Sequence, residues 1–106
     1  MWSFDEVQNI VWLEPWAATS PGLEAELKRE VGKRHPLFGR EAVAVGRRFD
    51  CDDVLFYLPN SSPPLAVVHL TWRREVSTEF PWTIFYRCVQ DWVERCMKPD
   101  HDEWKQ

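Results

Sequence analysis

His69, Arg47 and Asp52 are the side chains whose types and spacing come nearest to a reactive group. The chain from Arg40 to Trp72 reads as three antiparallel strands, with Asp50 and Cys51 as a two-residue turn and Pro59 to Pro64 as the next loop. That register puts His69 beside Val54 and in one cross-strand row with Arg47, with Asp52 and Thr71 a step away. An imidazole near a carboxylate can serve as a general base, and a neighbouring arginine lowers its pKa by like charge. A half-buried strand histidine satisfied by one hydrogen bond fits the same spacing, and this structural role is the expectation. A small hydrolase or ligand-binding domain using a pocket of His69 and Arg47 is the alternative.

Cys51 is flanked by Asp50, Asp52 and Asp53. A reactive thiolate needs electropositive surroundings, so these carboxylates argue against a nucleophile. The acidic turn lacks the glycine and the distal glutamate of an EF-hand loop. Asp100-His101-Asp102-Glu103 resembles a metal-binding tract by composition only and reads as a solvated tail. No metal and no cofactor is expected. The basic pairs Arg47-Arg48 and Arg73-Arg74, with Lys33, Arg34 and Arg40, do not add up to one basic face, because adjacent strand residues point to opposite sides. With a formal net charge of −4, a nucleic-acid partner is not expected.

Seven tryptophans are more than a core of this size uses. Trp72 and Trp92 fall on apolar faces and read as core. Trp2, Trp16, Trp82 and Trp104 lie near the termini or in loops, where an aromatic side chain is a lid over the core or an interface anchor. These four are the expected interaction residues.

The elements that must position these groups follow from periodicity and stop signals. Ser3 and Glu6 form a capping box for a short helix whose apolar face is Phe4, Val7, Ile10 and Val11; Pro15 ends it, and Trp16 to Thr19 is a connector. A second helix has Ser20 as N-cap, Pro21 at the first position, a stripe of Leu23, Leu27 and Val31, and Gly32 as a left-handed stop. Glu24 with Lys28, and Glu30 with Arg34, read as pairs on its wet side. After the three strands, Phe80-Pro81-Trp82 reads as a loop entering a last helix with Phe85, Cys88, Val89, Trp92, Val93 and Cys96 inward. Pro99 ends that helix, and 100–106 is a polar tail. The expected fold is a single α+β domain over 1–106: a three-stranded antiparallel meander packed with two to three helices, in the order α-α-β-β-β-α.

At 106 residues one hydrophobic core suffices, and no apolar run is long enough to span a bilayer, so no membrane partner is expected. The acidic opening Met1-Trp2-Ser3-Phe4-Asp5-Glu6 carries no basic leader. Cys88 and Cys96 would lie roughly 12 Å apart along a helix, and an odd cysteine count leaves a free thiol, which points to a reducing, cytoplasmic setting.

The run Arg29-Glu30-Val31-Gly32, with His35-Pro36-Leu37, Gly39-Arg40, the stretch from Arg47 to Phe56 and the stretch from Ala66 to Trp72, resembles a family of small uncharacterised bacterial proteins over roughly Leu23 to Asp100. The resemblance implies a bacterial cytosolic protein and carries no activity, cofactor or site residue. The function expected is that of a non-enzymatic protein that binds a protein partner and self-associates as a homodimer, since three strands apolar on both faces leave more surface than three short helices cover.

Overall fold

The computed structural model describes residues 4–19, 22–75 and 78–106, and its centre is one five-stranded antiparallel sheet in sequential order. The strands are β1 (Trp16–Ala18), β2 (Val43–Arg48), β3 (Asp53–Tyr57), β4 (Leu65–His69) and β5 (Trp82–Tyr86). Helix α1 (Phe4–Gln8) precedes β1 and α2 (Leu23–Glu30) follows it. After β5 come α3 (Val89–Trp92), a π-helical stretch (Val93–Met97) and α4 (Lys98–Trp104) in unbroken succession. The α+β class and the central meander are as expected; the strand count and the order of elements are not. Trp16–Ala18 is an edge strand rather than a connector, and Trp82–Tyr86 is a strand rather than a helix entry. The segment Trp82-Thr83-Ile84-Phe85-Tyr86 is β-branched and aromatic throughout, which suits a pleated surface better than a helix.

Between β2 and β3 Arg47 faces Val54, as the two-residue turn requires, but a bulge at Val45 then sets Ala44 opposite Phe56. Between β3 and β4 the pairing is Asp53 with His69, Leu55 with Val67 and Tyr57 with Leu65. This is one residue away from the register read off the loop, because Leu58 belongs to the loop, its amide donating to the Pro64 carbonyl at 2.7 Å. A slip of one residue turns every side chain of β4 to the other face.

One face of the sheet buries Ala44, Val54, Phe56, Ala66 and Val68 against Leu27 of α2 and against Val31 and Leu37 beyond it. The opposite face buries Leu55, Leu65, Val67 and Tyr86 under Val7, Ile10, Trp92 and Met97. Both apolar faces are therefore covered by the chain itself, which removes the argument for a dimer through an open sheet face. The 3.6-residue stripe of α2 holds, but the helix ends differently from the sequence reading: Val31 takes an extended conformation, and the positive-φ glycines are Gly22 and Gly39, not Gly32. The expected caps Ser3, Ser20 and Pro21 lie outside the described residues, as does Trp2.

At the last helix Cys88 is the N-cap, its sulfur accepting from the Asp91 amide, while the Asp91 carboxylate accepts from the Arg87 amide at 3.0 Å. The pair resembles a capping box with cysteine in place of serine, shifted so that the carboxylate takes the amide of the residue before the N-cap. Pro99 does not end the helix. The amide of Lys98 bonds to the carbonyl five residues back, at Val93, and this wider turn makes room for the proline ring within a continuing helix. Residues 98–104 are thus ordered helix rather than tail. Asp100 accepts the Trp16 indole N–H at 2.8 Å and pairs with Arg48 at 3.4 Å, and Trp104 stands edge to face with Phe49.

Candidate interaction surface

The corrected register separates the expected catalytic residues. His69 lies on the face of Leu55 and Leu65, its Nδ1 2.7 Å from an Asp53 carboxylate oxygen, whereas Arg47 lies with Val54 on the other face. Asp52 contributes its backbone carbonyl, which accepts from the Leu70 amide. His69 is more than half exposed, not buried in a pocket. Among the described residues its one hydrogen-bond partner is Asp53, and no group of three His, Cys, Asp or Glu is placed to hold a metal ion.

The expected interaction tryptophans also divide. Trp16 is 1% exposed and packs edge to face on Trp92, with ring centroids 5.2 Å apart, so it is core. Trp104 covers the β2–β3 turn through Phe49 and is a lid. Trp82 is 55% exposed and stands beside Phe80, with centroids 6.5 Å apart. Trp72, read from the sequence as core, is 48% exposed.

Trp72 is the most unusual residue of the chain. Its φ is 60°, in the left-handed region where a bulky side chain is strained. What holds it there is Glu30, the last residue of α2, which is fully buried. One carboxylate oxygen of Glu30 accepts from the Thr71 amide at 2.8 Å and from the Thr71 hydroxyl at 3.1 Å, and the other accepts from the Trp72 amide at 2.7 Å. The Glu30 backbone carbonyl accepts from the Glu75 amide at 3.0 Å. Four bonds from one residue fasten the loop 71–75 to the end of α2. Burial raises the Glu30 pKa, and the adjoining Glu26 carboxylate adds to this, against the opposing pull of the Thr71 and Trp72 donors. Glu30 is not one half of a wet pair with Arg34.

The antiparallel pairing of β4 and β5 brings this loop and residues 78–81 to the same end of the sheet. There His35 pins the entry to β5. It is buried, accepts the Leu37 amide on Nδ1 at 3.0 Å, and therefore carries its proton on Nε2, which donates to the Pro81 carbonyl at 2.9 Å. From this anchored start β5 runs along the margin of the sheet, paired to β4 on one side only, with Trp82 and Ile84 turned outward. The strand has no charged residue and no proline, the features that usually protect a sheet edge. The opposite margin, β1, is three residues long.

The charge around this surface is uneven. Arg48 grips Asp50 with two bonds of 2.9 and 2.8 Å, which lower the Asp50 pKa. The three cysteines are free, and burial pushes the Cys96 thiol up to about 12. Neither chemistry reaches Trp72. Beside the clamped loop opens a crevice of about 520 Å³ lined by Val31, Phe38, Lys33, Arg34, Arg74 and Glu75.

No protein-family model, no curated protein and no solved structure matches this chain. No helix among the described residues is long and apolar enough to cross a membrane.

Proposed function

We propose that this chain is a non-enzymatic binding protein that holds a protein partner at the end of its sheet, with Trp72 as the central anchor and Phe80 and Trp82 beside it. The observation that carries this reading is Trp72 itself. A half-exposed tryptophan in left-handed backbone lowers stability, and a buried carboxylate is committed to keeping it there. Strain maintained in this way is characteristic of contact sites, and tryptophan is the residue most enriched among binding hot spots. The free cysteines support a reducing compartment, consistent with a bacterial cytoplasmic protein. The test is capture from lysate of the native cell by the immobilised protein and by Trp72→Ala, after circular dichroism has shown the variant folded. A partner retained by both alike would reject the reading.

Self-association is a second reading, favoured by the uncharged free edge of β5. Two copies of β5 could pair antiparallel about a two-fold axis and extend the sheet. Sedimentation equilibrium at micromolar concentrations should show a dimer that Ile84→Lys abolishes. A monomer mass throughout would sink this second reading and leave the first intact.

A further inference from the structure

We infer that the crevice beside Trp72 takes an acidic peptide segment of the partner, an inference that rests on the binding reading above and names the chemistry of what is bound. The chain has more carboxylates than cations, 17 against 13, so a lysine or arginine has no shortage of internal partners. Arg29, Arg48, Arg95 and Lys98 each sit against a carboxylate, whereas Lys28, Arg40 and Arg47 have no ion-pair partner among the described residues. Lys33, Arg34 and Arg74 are exposed, line the crevice together, and pair with no carboxylate among the described residues. Three cations against the single carboxylate of Glu75 leave the crevice net positive, and an anion from outside relieves the remaining repulsion.

The fourth polar group of the crevice sets the kind of anion. Glu75 has a buried carboxylate oxygen, Oε2, that no hydrogen bond from the described residues satisfies; its ion-pair partner, Arg73 Nη2, is 3.6 Å away. An oxygen in that position calls for an N–H donor. A peptide with aspartate or glutamate side chains supplies both, carboxylates for the three cations and backbone amides for Glu75. Inorganic phosphate supplies the charge but no apolar group for the crevice, and a nucleic acid brings a polyanion toward a chain of net charge −4. Apolar Val31 and Phe38 in the same crevice offer contact for one aliphatic side chain of the segment. At about 520 Å³ the space falls within the range of ligand sites, about 300 to 1,000 Å³.

The test is fluorescence anisotropy with a labelled peptide of alternating glutamate, leucine and aspartate, against the same peptide with every acidic residue changed to lysine. Expected are saturable binding of the acidic peptide alone, weakening as salt is raised, and a loss of affinity of about tenfold or more in Arg74→Glu and Lys33→Glu. Arg74→Lys, which keeps the charge, should retain most of the affinity. No binding of the acidic peptide, equal binding of the lysine peptide, or affinity unchanged by Arg74→Glu would overturn the inference. So would a single-stranded oligonucleotide that displaces the peptide at lower concentration, or self-association abolished by Arg74→Glu without peptide binding. Trp72→Ala separates this inference from the reading beneath it. Peptide affinity lost in Arg74→Glu but unchanged in Trp72→Ala upholds the crevice and removes Trp72 as anchor; a cellular partner that needs Trp72, with no acidic peptide bound, does the reverse.

Discussion

Trp72 and Glu30 make separable demands on stability. Trp72→Asn and Trp72→Val both remove the ring, but asparagine tolerates left-handed backbone and a β-branched residue does not. The valine variant should be less stable by about 1–2 kcal/mol in urea unfolding; equal stabilities would show that the backbone there is not under strain. Glu30→Gln offers one oxygen and one NH₂ where two acceptors are needed, which leaves an amide facing a donor and costs about 1–3 kcal/mol. Its pH dependence has a definite sign. A carboxyl whose folded pKa is raised contributes most below its unfolded value, near 4.5, and that contribution is lost as pH rises through the folded value. Glu24, Glu26 and Asp50, with lowered values, act oppositely and lose their contribution as pH falls. Removing Glu30 should therefore steepen the rise of melting temperature between pH 4 and 6, and a shallower rise in Glu30→Gln would contradict the raised pKa. Glu30 reads as a wet-side partner of Arg34, although it stands three residues after Leu27 and seven after Leu23, on the buried stripe of α2. Its spacing to Arg34 pointed the wrong way. Trp72 was not legible: strand alternation points it inward, but β4 ends at His69 and alternation has no force beyond the last paired residue.

Each element went wrong or right for a local reason. The stripe of α2 and the β2–β3 hairpin were readable because one period or one turn dominates each. The fifth strand was hidden because Phe85, Cys88 and Val89, across the end of a strand and the start of a helix, mimic helical spacing; β5 adds Ile84, which that spacing leaves out. Nor did the Pro99 stop signal disclose that the helix widens before it. Of the candidate site, Trp82 stands out from its loop position but the Glu30 clamp does not, because its partners lie about 40 positions further along. The placement of β5 depends on His35, which joins the segment after α2 to the strand. His35→Phe keeps the volume but orphans the Leu37 amide and leaves the Pro81 carbonyl only the Thr83 hydroxyl, and should lower stability by about 1–3 kcal/mol. It should also raise amide hydrogen exchange in β5 more than in β3. Uniform exchange across the strands would mean that β5 does not rely on this pin.

In the whole molecule, the two ends of the described chain meet on one face of the sheet. The Leu13 amide donates to the Met97 sulfur, Trp16 to Asp100, and His101 Nδ1 to the Glu14 carbonyl at 2.6 Å. A chain ended after Met97 loses the Lys98–Val93 bond of the π-helical stretch, the last two of these bonds, the Arg48–Asp100 pair and the Trp104 lid. It should be destabilised by about 3–5 kcal/mol, because the buried Trp16 indole N–H is left unpaired while the packing of the last helix is lost. Thermal melting of this truncated form at the parent temperature would mean that residues 98–106 are the solvated tail their composition suggests.

The bond from Trp16 to Asp100 joins residues 84 positions apart, and it also sets when the protein can finish folding. Until the last helix has been synthesised, Leu55, Leu65 and Val67 have only part of their cover, and the loop that must close is nearly the length of the chain. A nascent chain carrying a finished meander therefore presents an open apolar plane to the crowded cell, and closure of that plane is late and non-local. The same dependence leaves this face of the sheet without Trp92 and Met97 until the helix after β5 is in place.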